Sequence, residues 1–336
     1  MYRADCTLIL TQLYAAVAAN KKELEPYITT TMKKGFVLQS LICLLAVSCS
    51  VHEIDTNDPV LAEDDVFYAS LESDSKPDTK VHLDLIDEKP KTLWDAKDQI
   101  SIFNKTTVNQ QYEFLGNTGD NAGYFKRVTE ETGTRAVSDY VCAVYPYMES
   151  TSLDDSGVLT LTLPEEQTYM EESYGLGANT MVSTTNGQDN LLRFKNVGGY
   201  LVLKFYGVDG DNAISVKSIK LEGKNGELLS GEATMTPVID GLPEIEMAPT
   251  AGTSITLKCD KAVKLGKKEN KATLFWMVVP PTDFTQGFTL TVTDKNDRVF
   301  VKETDEHLTI KRNTVLRISP IEVTLEEPLD SNALSD

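Results

Sequence analysis

Three histidines are the natural starting point for acid–base chemistry, and none stands beside a nucleophile. His52 lies in a polar stretch, His82 in a β-like run, and His307 follows Asp305 and Glu306. No Ser, Cys or Asp occupies a Gly-x-Ser-x-Gly setting, the local signature of a hydroxyl activated on a strand-to-helix turn. The histidines read as solvated surface groups, so no catalytic residue is assigned and no enzyme activity is expected. Gly175-Leu176-Gly177-Ala178-Asn179 has the glycine content of a phosphate-cradling loop. Such a loop needs a buried strand before it and a helix after it, and neither pattern is present. Asp209-Gly210-Asp211-Asn212 and Asp294-Lys295-Asn296-Asp297 carry the oxygen ligands calcium prefers but not the long loop closed by Glu. Both read as turns. No cysteine pair has zinc-site spacing, and neither a metal nor an organic cofactor is expected.

The cysteine with chemistry written around it is Cys49. Met32-Lys33-Lys34-Gly35 opens a short basic stretch, an apolar run follows from Phe36 to Val47 broken by Gln39 and Ser40, and Ala46-Val47-Ser48 precedes Cys49. A basic start, a short apolar core and a small-residue boundary are the parts of an export signal. A cysteine directly after Ala-Val-Ser resembles a bacterial lipobox, at which the thiol of the new first residue is lipidated. Several acyl chains on Cys49 anchor a protein stably to a membrane, where one chain does not. Residues 32–48 are therefore expected to be a lipoprotein signal peptide. Residues 1–31 fit no targeting pattern, because the apolar run Leu8 to Ala19 is followed directly by Lys21, Lys22, Glu23 and Glu25. They are expected to be a spurious upstream extension, with translation starting at Met32, and are set aside for the fold.

The elements that must position any site come next. The 336 residues include 32 basic and 51 acidic side chains, for a formal net charge of −19, with 41% hydrophobic and 25% charged residues. That is the composition of a folded globular protein, and the length suggests two domains. The acid excess argues against nucleic-acid binding, which needs a basic face. No apolar run reaches the roughly 18–20 residues of a membrane-spanning helix. Without residues 1–48 the chain keeps 27 basic and 48 acidic groups, net −21. Cys142 and Cys259 then remain beside Cys49, each in an apolar β-like run, and read as buried small hydrophobes and not as a disulfide.

After a polar tether over 49–60, short alternating runs rich in β-branched and aromatic residues succeed one another: Val66 to Leu71, Val81 to Leu83, Thr92 to Trp94, Gln99 to Phe103, Tyr112 to Phe114, Gly123 to Phe125, Tyr140 to Tyr145 and Val158 to Leu163. A second series includes Leu191 to Phe194, Tyr200 to Tyr206, Val216 to Leu221, Ile255 to Leu257, Leu274 to Val279, Phe288 to Thr293, Val299 to Val301 and Thr314 to Ile318. Period-two alternation bounded by Gly, Asn and Asp marks half-buried strands, and many strands without helices mean sandwiches or barrels. The expected class is all-β, with an amino-terminal β-sandwich over 61–206 and a carboxy-terminal one over 207–336. The acid excess is greater in the first, where residues 49–206 carry 12 basic and 27 acidic groups. Such a surface repels polyanions and other copies of itself at low salt.

Several stretches together resemble the fimbrillin family, the type V pilins and related surface lipoproteins of Gram-negative gut and oral bacteria. The residues that carry the resemblance are Leu93-Trp94-Asp95-Ala96-Lys97-Asp98-Gln99-Ile100-Ser101-Ile102-Phe103, Ala143-Val144-Tyr145-Pro146-Tyr147, Phe194-Lys195-Asn196-Val197-Gly198-Gly199 and Val278-Val279-Pro280-Pro281. The resemblance implies two tandem Greek-key, transthyretin-like β-sandwich domains, and a lipoprotein at the outer-membrane surface or in a fimbrium. The implied role is that of a fimbrial subunit or pilus-associated adhesin. Its partners would be other fimbrial subunits, or further copies of itself, by strand exchange. A host or bacterial surface ligand is a further partner the resemblance implies. Proteolysis in that family frees an amino-terminal strand, and the groove left behind accepts a strand from the next subunit. On this chain the removable strand corresponds to Val66, Phe67, Tyr68, Ala69 and Leu71. Lys76 and Lys80 are the cleavage candidates after it. No arginine is present in that loop, the first after Cys49 being Arg127, which leans towards an accessory or tip subunit over the main shaft. Ile321, Val323 and Leu325 alternate cleanly and are either a donor strand or the protein's own last strand. The other class considered is a monomeric outer-membrane lipoprotein that binds a glycan or another ligand in a groove with Trp94, Tyr145 or Tyr147. Aromatics at such positions are more often core.

Overall fold

The computed structural model describes residues 66–72, 92–104, 107–128 and 140–325. The expected export signal with Cys49, the expected tether, His52, Lys76, Lys80, the run Val81 to Leu83 and the acidic residues from Glu326 lie outside the described residues. Among the described residues the chain is β throughout, with 25 strands and one 3₁₀ turn at Glu269–Lys271.

Seven strands close on themselves. They are β1 (Val66–Leu71), β2 (Gln99–Asn104), β3 (Gln110–Phe114), β4 (Ala122–Arg127), β5 (Tyr140–Tyr145), β10 (Met181–Asn186) and β11 (Leu191–Asn196), paired in the order β1-β11-β10-β5-β2-β3-β4 with β4 returning to β1. Every pair is antiparallel except β1 with β11. The first expected sandwich is thus a closed barrel, because β1 supplies a ladder to each of two strands that would otherwise be edges. Trp94 fills the interior. It lies 5.0–6.0 Å, centroid to centroid, from the rings of Phe114, Phe125, Tyr145 and Phe194. The turn after it is tied by Asp98, whose Oδ2 accepts the Asp95 N–H at 2.7 Å and whose Oδ1 accepts the Tyr145 hydroxyl at 3.2 Å. Burial, the largest effect, raises the pKa of Asp98 above the usual carboxylate range against these hydrogen bonds.

Outside the barrel, Phe103, Cys142, Val144 and Val182 pack on a second sheet of order β17-β16-β7-β6. Its strands are β6 (Ser152–Leu153), β7 (Leu159–Leu163), β16 (Gly231–Met235) and β17 (Glu246–Met247). Strands β2 and β5 are therefore covered on both faces, so their burial does not alternate as the sequence reading expects.

The remaining strands build a sandwich. One layer runs β19 (Thr273–Val279), β12 (Gly199–Tyr206), β24 (Val315–Arg317), with β25 (Ile321–Glu322) also beside β12. The other runs β22 (Val299–Glu303), β21 (Phe288–Asp294), β15 (Ser215–Gly223), β18 (Ser254–Lys264), β8 (Glu166–Met170), β9 (Ser173–Tyr174). Leu201, Leu203 and Phe205 of β12 share one core with Ile219 and Leu221 of β15 and Phe275 and Met277 of β19. Two small hairpins, β13 (Val208–Asp209) with β14 (Asn212–Ala213) and β20 (Thr282–Phe284) with β23 (Leu308–Ile310), complete the set. Strand β12 precedes residue 207 yet pairs with β19 from Gly199↔Val279 to Phe205↔Thr273. The barrel therefore gives way to the sandwich between β11 and β12. The Gly- and Asp-rich segment at 207–212 is a tight hairpin inside the sandwich. The halves are also stitched together, since β8 adds to β18 and β16 adds to β7.

Cys142 and Cys259 are both free and buried. Burial pushes the Cys142 thiol up to about 12 and the Cys259 thiol up to about 11. A chain starting at Ser50 is expected to show essentially no reaction with a thiol-exchange reagent at pH 8, and two reactive thiols once unfolded in guanidinium. Rapid labelling of the native protein would contradict this packing.

Candidate functional site

Strand β1 occupies a slot between β4 and β11. Alternation sends Phe67 and Ala69 inward, both fully buried, with Leu71 packed against the same core. Tyr68 points outward, its ring edge-on to Tyr124 at 5.1 Å. Inside, Phe67 meets Tyr112 at 5.5 Å, again edge to face. Five residue pairs join β1 to β4 and four join it to β11. Burying Phe67 contributes about 2–3 kcal/mol.

A clamp closes the carboxyl end of this slot. Glu72, the residue after β1, donates its N–H to Phe194 O at 2.8 Å, continuing the ladder. Its carboxylate is held bidentately by Arg312, Nη1 to Oε2 at 2.7 Å and Nη2 to Oε1 at 2.9 Å. The Asn196 N–H also donates to Oε2 at 3.2 Å, and Arg312 Nη1 donates to Asn196 O at 3.0 Å. Both side chains of the ion pair are 19% exposed. Arg312 comes from the turn between β23 and β24, and the sequence explains how that turn sits so close. A Cβ on Gly199 would meet Lys311 O at 2.2 Å, so only glycine admits the approach. Asn313, left-handed at φ 52°, donates its N–H to Gly198 O at 2.8 Å. The network runs on through side chains, with Asn196 Nδ2 donating to Asn313 Oδ1 at 3.0 Å and Asn179 Nδ2 donating to Asn196 Oδ1 at 2.8 Å. Planar, charge-assisted, two-point contacts of this kind fix position as well as adding energy. Nothing in the spacing of the sequence pairs residue 72 with residue 312.

The other candidate residues fall elsewhere. Ile321, Val323 and Leu325 lie in or against the sandwich core, Val323 almost fully buried and its N–H donated to Tyr206 O at 2.8 Å. Ile321 belongs to β25, the last strand among the described residues, and Val323 and Leu325 follow it against the same core. Lys76 and Lys80 are not described. Trp94 and Tyr145 are core, and Tyr147 is half-buried. A cleft of about 240 Å³ beside them is lined by Thr92, Tyr174, Leu176 and Asn179. That is below the roughly 300–1,000 Å³ of ordinary small-molecule sites. Within this cleft Gly175 to Asn179 form a turn, Ala178 N–H to Gly175 O at 3.2 Å, with no helix after it. His307 is exposed and pairs with Asp283 at 2.5 Å.

The two acidic turns, far apart in sequence, meet around one guanidinium. Arg298 Nη2 lies 2.6 Å from Asp209 Oδ2 and 2.8 Å from Asp294 Oδ2, and its Nε 3.1 Å from the latter. Asp294 is buried, and its Oδ1 accepts the N–H groups of Asn296 and Arg298. Burial alone would raise the Asp294 pKa; the hydrogen bonds from Arg298 and the backbone outweigh it and hold the carboxyl below its usual value. A protein cation thus takes up the Asp209 and Asp294 oxygens of these turns. Among the described residues no cluster of three or more His, Cys, Asp or Glu could hold a metal.

No family model matches the sequence, and no curated protein matches it. Similar solved structures include a candidate cell adhesion protein from Bacteroides ovatus, with 15% identity, 70% of this chain and 87% of that chain covered, and a TM-score of 0.41. Another, described likewise, is from Bacteroides uniformis, with 18% identity, coverage of 78% and 94%, and a TM-score of 0.40. A third is the tip fimbrial protein Mfa3 from Porphyromonas gingivalis with C-terminal truncation, at 12% identity, coverage of 69% and 92%, and a TM-score of 0.28. The structural neighbours are thus candidate cell adhesion proteins and fimbrial proteins.

Phe67→Ala is expected to lower the unfolding free energy by about 3–5 kcal/mol, whereas Tyr68→Ala on the outer face costs about 1 kcal/mol; urea unfolding measures both. Since the folded pKa of Asp294 is depressed, its contribution is full above the unfolded value near 4 and is lost as pH falls through the lower folded value. Arg298→Ala is expected to lower Tm by several degrees at pH 7 and to begin its acid loss at higher pH than the parent. Coincident Tm–pH curves would contradict the assignment.

Proposed function

We propose that this chain is a fimbrial subunit or pilus-associated adhesin, exported as a lipoprotein through Cys49 and assembled at the outer membrane or in a fimbrium by β-strand addition. The observation that carries the reading is the place of β1. It comes before the other barrel strands in the chain, closes the barrel, and lies between two strands that without it become free edges. An emptied slot of this kind presents unpaired N–H and C=O groups along β4 and β11 and apolar pockets at alternate positions. Main-chain bonds then supply affinity for an incoming strand, and the pockets supply its register. With β1 removed, the barrel becomes an open pair of edges, and the barrel and sandwich halves correspond to the two tandem transthyretin-like units. Lys76 and Lys80 follow β1 closely enough that a cut at either leaves the strand held by non-covalent contacts alone. The incoming strand belongs to another fimbrial subunit or to a second copy.

Amino-terminal sequencing of protein from cells distinguishes the processing steps. A blocked Cys49 marks the lipidated, uncut form, and a new end within residues 77–81 marks maturation. Boiling-resistant ladders on a denaturing gel are expected after maturation, and they should vanish when residues 321–336 are deleted. A single band at monomer mass from both cells and matured protein would sink the proposal.

A further inference from the structure

We infer that Arg312, together with the backbone of Asn196, is a carboxylate socket that sets the register of whatever strand fills the β1 slot, and that the strand it accepts from a second copy is Ile321 to Glu326. This rests on the strand-exchange reading above and adds the residue that decides alignment.

The resident strand shows what the socket reads. Phe67, Ala69 and Leu71 turn inward, and Glu72 follows directly into the bidentate grip of Arg312. The motif is therefore apolar residues at the fifth, third and first positions before a glutamate. Taking Ala, Val, Ile, Leu, Met, Phe, Tyr, Trp and Cys as apolar, two glutamates of the whole chain meet it, Glu72 and Glu326, the latter preceded by Ile321, Val323 and Leu325. Superposing the two motifs puts Ile321 in the place of Phe67, Val323 in that of Ala69, Leu325 in that of Leu71 and Glu326 at Arg312. The donated strand then runs parallel to β11, as β1 does.

Side-chain alternation alone cannot settle this alignment. A slip of one residue turns the apolar set outward and is excluded by its own cost. A slip of two residues keeps two of the three apolar side chains inward, with Glu327 or Ser319 taking the third place, and the backbone bonds re-form equally well. It moves the glutamate by about 6.6 Å, two strand rises, which is beyond the reach of a salt bridge. Thr324 or Pro328 would then face the guanidinium. Arg312 adds to that loss a charge-assisted contact that only the unslipped register makes. On the donor side the exchange gives up the two pairs of β25 with β12 and the buried place of Val323, while Ile321 already borders an open groove of about 760 Å³; against that loss the slot offers a ladder on both sides and inward places for all three apolar side chains. A cation at the slot also offsets the repulsion between copies that each carry a net charge near −21 without residues 1–48.

The test uses the full chain with a protease site introduced within residues 73–91 and cut, both pieces being retained. Fluorescent synthetic peptides spanning residues 319–328 are added, and anisotropy follows their exchange for the resident piece. The parent peptide is expected to bind. Glu326→Gln is expected to weaken it about tenfold or more, the loss of a charge-assisted bidentate contact, whereas Glu322→Gln leaves affinity within twofold. Glu326→Arg should bind weakest and recover on protein carrying Arg312→Glu. The peptide variants leave the folded protein untouched, so they decide the matter even if Arg312→Glu does not fold. Equal binding by the parent and Glu326→Gln peptides overturns the socket while leaving strand exchange standing. Failure of the parent peptide to bind overturns strand exchange itself.

Discussion

A sheet curled on itself loses its edges only when its last strands find each other. Here they meet through β1, which stands between β4 and β11 with a ladder to each. The constraint reaches through the whole first half. Closure around Trp94 is what buries that ring beside Phe114, Phe125, Tyr145 and Phe194, and the strands on the far wall, β2, β5 and β10, are pressed outward against the β6–β7–β16–β17 sheet. This element is joined to its neighbours mainly by ladders, three inward side chains and the Glu72–Arg312 pair. Most barrels are closed by strands that the chain delivers in order, through short hairpins.

The barrel and the sandwich communicate through a polar junction. Asn196 is its centre: its N–H and carbonyl meet Glu72 and Arg312, and its side chain bonds Asn179 and Asn313. Side chains with several matched partners hold one arrangement and penalise near alternatives, because a displaced amide leaves buried groups unpaired. Gly199 is the steric condition for it, since any larger residue would lift the Lys311–Asn313 turn away from β12.

Much of this architecture was readable from alternation. The runs at Val66 to Leu71, Val158 to Leu163 and Phe288 to Thr293 fall on strands whose burial alternates. Strand β10 was not, for a physical reason. Met181-Val182-Ser183-Thr184-Thr185 is buried on both faces, so period two is absent, and its hydroxyls disguise it as a loop. The change of sheet at β12 was missed because glycines and aspartates at 207–212 look the same in a linker and in a hairpin. Barrel closure escaped notice because parallel pairing of β1 with β11 joins residues more than 120 apart, and nothing local encodes it. The Glu72–Arg312 clamp is hidden for the same reason, although once the register is known the glutamate after an apolar triplet is visible in the sequence. The acidic turns are legible as turns in the sequence; their meeting around Arg298 depends on the fold.

The two-sided seating of β1 has a mechanical side. A strand pulled away sideways from an edge unzips, breaking its hydrogen bonds one after another at low force. A strand drawn along its own axis between two ladders must shear them all together, and the guanidinium at Arg312 adds a stop at one end of that travel. A strand seated in this slot is therefore built to bear tension along its length.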